Sequence, residues 1–110
     1  MADMVCDSVT DADRGNLLNY TIDALPAGRI PQAGDTVSFT GTTTEGNLTC
    51  DSFVIGMGVT FSNSNGVGQA TIVGTGTNNG TISRPSSEQA LVFSNLITNG
   101  DDGAVVGKPT

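Results

Sequence analysis

The sequence predicts an all-β protein: a short three-coil parallel β-solenoid with a small N-terminal helical cap. Three observations predict it. Apolar residues return at a fixed step: Phe39 to Phe61 is 22 positions and Phe61 to Ile82 is 21. The sets Leu48, Ala70, Leu91 and Cys50, Ile72, Phe93 repeat both steps. Such a step marks a repeat that cannot bury its apolar side alone. Around these residues apolar and polar positions alternate, as where Val37 and Phe39 are flanked by Thr36, Ser38 and Thr40. That is the period of a half-buried strand. Finally, the composition holds 15 Gly, much Thr, Asn and Ser, and no Trp, which suits strands and tight turns rather than long helices. An antiparallel β-sandwich would use the same alternating strands and stays open as the alternative.

Taken in order, residues 1–32 read as an arm and cap, 33–100 as the solenoid, and 101–110 as a second arm. Residues 7–20 hold the one plausible helix, with Asp11 or Asp13 as its cap and Leu17, Leu18 and Tyr20 as its apolar patch. Gly15 weakens it by roughly 1 kcal/mol relative to Ala. Pro26, Gly28 and Pro31 then break regular structure. The first repeat sets Val37 and Phe39 inward, then Leu48 and Cys50, then Phe53 and Ile55, before the turn Gly56-Met57-Gly58. The second sets Val59, Phe61, Ala70 and Ile72 inward and Ser62 outward, with Asn65-Gly66 as a turn dipeptide. The third uses Ile82, Leu91, Phe93 and Leu96, and Val105 and Val106 begin a partial fourth turn or an arm. Stacking gives three expected inward columns: Phe39–Phe61–Ile82, Leu48–Ala70–Leu91 and Cys50–Ile72–Phe93.

The formal charge is −7, from 11 acids against 4 bases, which argues against nucleic-acid phosphates and anionic membranes as partners. The N-terminal MADMVCDSV lacks the basic-then-apolar order of a secretory signal. The expectation is a chain made in a cytoplasm with Cys6 and Cys50 reduced. With no His and no Cys-x-x-Cys, zinc and haem are not expected, nor is any other cofactor.

Catalysis is not expected either. Glu45 and Glu88 align two coils apart, about 9–10 Å at the strand spacing, near the separation of an inverting glycosidase pair. No third group orients either acid, and loops are polar by default. Asp51 is the strand-facing acid. Asp101-Asp102-Gly103 would suit a Ca²⁺ turn, but Asp-rich turns are common without metal. Arg14, Arg29 and Arg84 read as isolated surface cations, and Tyr20 as the one aromatic that could stack on a sugar. Asn19, Asn47 and Asn79 each open a glycosylation sequon, which without secretion marks turns. Outward Thr and Ser columns resemble short versions of the arrays on ice-binding solenoids.

The phrases VIGMGVTFSNSNG (54–66) and ATIVGTGTNNGTIS (70–83), preceded by AGDTVSF (33–39), resemble coils of right-handed parallel β-helix proteins of the pectin-lyase-like kind. Similar stretches occur in phage fibre and tailspike proteins and in bacterial adhesins. The resemblance implies the fold over residues 33–100. Its functions range over adhesins, lyases and passive stalks. A short, acidic chain without catalytic residues is expected to be a bacteriophage virion component, most simply a capsid decoration or cement protein. Expected partners are further copies of itself, with a trimer favoured, and the major capsid protein. A carbohydrate- or cell-surface-binding module is the second reading.

Overall fold

The computed structural model describes residues 3–8, 10–62, 70–84, 91–93, 97–99 and 104–107, with side chains described as far as Ser83. It is all-β. The strands are β1 (Asp3–Cys6), β2 (Tyr20–Ile22), β3 (Leu25–Pro26), β4 (Thr36–Phe39), β5 (Leu48–Cys50), β6 (Ser52–Ile55) and β7 (Thr60–Ser62). They continue with β8 (Ala70–Ile72), β9 (Gly76–Asn78), β10 (Thr81–Arg84), β11 (Leu91–Phe93), β12 (Ile97–Asn99) and β13 (Ala104–Gly107). One sheet runs β12-β9-β6-β4-β1-β2-β3, a second β13-β10-β7, and a third β11-β8-β5. The first is mixed, because β1 pairs parallel with β4 but antiparallel with β2, and β2 pairs antiparallel with β3. The second and third are parallel throughout.

Register follows the apolar alternation, because a slip of one residue would turn every buried side chain outward. Leu48 pairs with Ala70 and Ala70 with Leu91, while Cys50, Ile72 and Phe93 align two residues on. Phe61 pairs with Ile82, and Ile82 with Val105. Phe39 departs from the expected column. It lies on β4 beside Ile55 of β6, and across from Cys6 on the other side. The residue bridged in parallel to Phe61 is Thr43. The reason lies at Asp35, whose carbonyl accepts the amides of Asp51 (2.8 Å) and Ser52 (3.4 Å). That pair ends β5 and drops the chain under β4, so Ser52–Ile55 opens a new layer instead of closing the first. Phe39 and Phe61 still meet across sheets, edge to face at 5.0 Å between ring centres.

The N-terminal helical cap is absent. Among the described residues, 7–20 contain one 3-10 turn, Leu17–Asn19. Side chains capture the amides and carbonyls that a helix would need. Asn19 Oδ1 accepts from the amides of Thr10 and Asp11, and its Nδ2 donates to the carbonyls of Asp11 and Asp13. The carboxylates of Asp11 and Asp13 accept from the amides of Asp13 and Gly15. An antiparallel ribbon, β1-β2-β3, takes the place of the helix.

Val37, Phe39, Leu48, Cys50, Phe53, Ile55, Val59, Phe61, Ala70, Ile72 and Ile82 are buried in one cluster, joined by Met4, Cys6 and Tyr20. Full burial of a large apolar side chain contributes roughly 1.5–3 kcal/mol. Leu91 and Phe93 hold their expected register on β11, while their side chains, and all of Leu96, lie outside the described residues. Ser62, expected outward, is buried, with its hydroxyl donating to the Thr43 carbonyl. Gly76 is required by close approach: a Cβ there would lie 1.9 Å from Cε1 of Phe53.

Candidate functional site

Several polar side chains are positioned where the N-terminal segment crosses a later loop. Residues 12–14 cross beneath 43–45: the amide of Thr44 donates to the Ala12 carbonyl, and that of Arg14 to the Glu45 carbonyl. Asp13 and Glu45 form a parallel bridge. This crossing turns Arg14 inward, and it is fully buried rather than an isolated surface cation. Its Nη1 donates to Thr43 Oγ1 at 3.0 Å and to the Ser62 carbonyl, and its Cζ stands 4.7 Å from the Phe61 ring centre. The face of the ring attracts the cation, a contact that strengthens with desolvation. Burial nonetheless disfavours the charge and pulls the Arg14 pKa down to about 10, against smaller upward pulls from Tyr20, Cys6, Asp13 and Glu45.

Tyr20 is buried too, so it offers no exposed face for a sugar. Its hydroxyl donates to the Arg14 carbonyl at 2.6 Å, and desolvation raises its pKa. Cys6 and Cys50 are free, buried thiols, raised by desolvation to about 11 and about 12. Thiols held protonated in this way are poor nucleophiles and poor metal ligands.

Arg29 is not isolated either. It grips the carboxylate of Asp35 with both Nη atoms, at 2.6 and 3.2 Å. The hydrogen bond to Asp35 raises the Arg29 pKa. Asp35 is buried and also accepts from the Gln32 amide at 3.0 Å, so the pair closes the loop that enters β4. Nothing in the sequence distinguishes Arg14 from a surface arginine, since its neighbours are Asp13 and Gly15. Asp35 had a weak signal: an acid between Gly34 and a strand, where a carboxylate can tie a turn.

The other expected site residues do not converge. Asp51 is half-buried and accepts from the Ser52 hydroxyl, while Glu45 contributes its backbone to the Arg14 crossing. Glu88, Asp101, Asp102 and Gly103 lie outside the described residues, as does the Arg84 side chain. Of the sequon asparagines, Asn19 is buried with its amide engaged, whereas Asn47 is exposed. Among the described residues no group of three His, Cys, Asp or Glu side chains could hold a metal ion. No helix among them is long and apolar enough to cross a membrane.

What the N-terminal segment does present is apolar. Leu17 (45% exposed), Leu18 (66%), Leu25 (68%) and Ile30 (36%) all fall within residues 17–30. Leu25 lies on β3, the edge of the seven-stranded sheet. No protein-family model, curated protein or solved structure matches the chain.

Proposed function

We propose that this chain is a non-catalytic structural protein, a short β-solenoid of the kind that decorates a bacteriophage capsid, and that it works by adhesion. The solenoid reading is supported by parallel ladders that keep one register from layer to layer, with Leu48, Ala70 and Leu91 as the clearest row. The adhesive role rests on one observation: leucines and an isoleucine exposed along residues 17–30, on a segment anchored by the buried Arg14. A rigid base under an exposed apolar strip suits docking on a larger surface. The major capsid protein is the partner in this reading, and the charged groups hold the frame.

Co-sedimentation with emptied capsid shells of the virus that carries the gene tests the proposal. The chain is expected to pellet with the shells, and a Leu18→Asp, Leu25→Asp double variant to stay in solution while remaining folded. A chain that ignores the shells but binds a defined sugar on a glycan array would overturn it in favour of a carbohydrate-binding module.

A further inference from the structure

We infer that the buried Asn78 side chain protects the adjoining Asn79–Gly80 pair from deamidation, a modification to which that pair is chemically prone. The inference is independent of any docking role. Asn79 and Gly80 join β9 to β10. Glycine after asparagine leaves the backbone free to bring its nitrogen round to the asparagine side chain. The Gly80 amide gives its proton to solvent base, and its nitrogen attacks Cγ of Asn79. The new N–C bond closes a succinimide, and the side-chain nitrogen leaves as ammonia, taking a proton from water. Water then opens the ring at either carbonyl, giving aspartate or isoaspartate at position 79. The isoaspartate adds a carbon to the backbone of the turn, which would carry Thr81 out of its pairing with Thr60.

The fold builds this labile pair in. A Cβ at position 80 would run into the carbonyl oxygens of Val59 and Gly56, so no other residue fits there. Protection comes instead from the residue before the pair. Asn78 is fully buried, and its Oδ1 accepts the Gly80 amide at 3.0 Å. Ionising that amide breaks the hydrogen bond and leaves Oδ1 facing an anion. The lone pair released also lies along the former N–H direction, aimed at Asn78 rather than at Cγ of Asn79. The turn cannot swing to correct this without breaking contacts to the layer beside it. The Asn79 amide donates to the Ile55 carbonyl at 2.9 Å, and the Thr81 amide to the Val59 carbonyl at 2.9 Å.

Incubation at mildly alkaline pH, followed by peptide mapping in a mass spectrometer, reads the fraction of aspartate and isoaspartate at position 79. Folded wild type should convert far more slowly than the same chain in urea. Asn78→Ala should convert about two- to tenfold faster than wild type, the worth of one hydrogen bond. Ile72→Val, which loosens the buried core on another strand, should keep the slow wild-type rate. If circular dichroism shows Asn78→Ala unfolded, hydrogen exchange at the Gly80 amide of wild type decides: slow exchange supports the protection, and exchange at the unprotected rate overturns it. Wild type that deamidates as fast folded as in urea, or a folded Asn78→Ala that keeps the wild-type rate, would also overturn it. So would an Ile72→Val variant accelerated as much as Asn78→Ala, since general loosening would then account for both.

Discussion

Arg14 is the residue on which the N-terminal segment turns. Its guanidinium joins residues far apart in sequence, Thr43 and Ser62, and lies over Phe61. Arg14→Ala would take a charged donor from the Thr43 hydroxyl and the Ser62 carbonyl, at a cost of about 1–3 kcal/mol. Urea denaturation followed by circular dichroism measures it. Arg14→Lys should recover only part of the loss, because an ammonium cannot reproduce the planar fork over the ring. The buried thiols make a second prediction at this scale. Cys6 and Cys50 bind their protons more tightly folded than unfolded, as their pKa values rise from 9.0 to about 11 and about 12. Their contribution is complete below pH 9 and is lost as pH rises through the folded values. Tyr20 acts in the same direction. Arg14, lowered to about 10, opposes them above that pH. Three groups against one leave stability falling between pH 9 and 12, by up to about 1.4 kcal/mol per pH unit per group. The urea midpoint should drop over that range, and a Cys6→Ala, Cys50→Ala variant should flatten the drop.

Among elements, strands were legible wherever alternation and spacing agreed. Leu48, Ala70 and Leu91 share both a step and a register, so β5, β8 and β11 could be placed from sequence. Phe39 shows the limit of spacing. It shares the step with Phe61, yet backbone hydrogen bonds at Asp35 place β6 beside β4, and a coincidence of distance has no power against that. The helix over 7–20 failed for a related reason. Its cap candidates, Asp11 and Asp13, take the amides of a loop, and Asn19 closes that loop from within. Asn19→Ala should therefore destabilise the fold by about 1–3 kcal/mol, the cost of stranding buried backbone groups. Its far-UV spectrum should show no gain in helix. The β9 strand makes its own prediction. Gly76→Ala drives a methyl into Phe53 and should cost about 1–3 kcal/mol by overpacking. Shortening the ring, as Phe53→Leu, should reduce the penalty of Gly76→Ala in a double-mutant cycle.

For the molecule as a whole, polar chemistry and adhesive surface are separated. Arg14, Asp35 and Asn19 are buried and hold loops, while Leu17, Leu18 and Leu25 face solvent. The sequence made Leu17 and Leu18 visible but assigned them to a helix. It left Arg14 and Asp35 indistinct, because burial of a charge depends on which distant loops cross it. The whole account depends on parallel layers in one register, and nuclear Overhauser contacts in solution report that register directly. Cross-strand contacts should join Thr49 to Thr71 and Ser38 to Val54, the neighbours in the β5–β8 and β4–β6 ladders. Contacts that instead run in antiparallel order along these strands, or that pair Ser38 with Thr60, would contradict it.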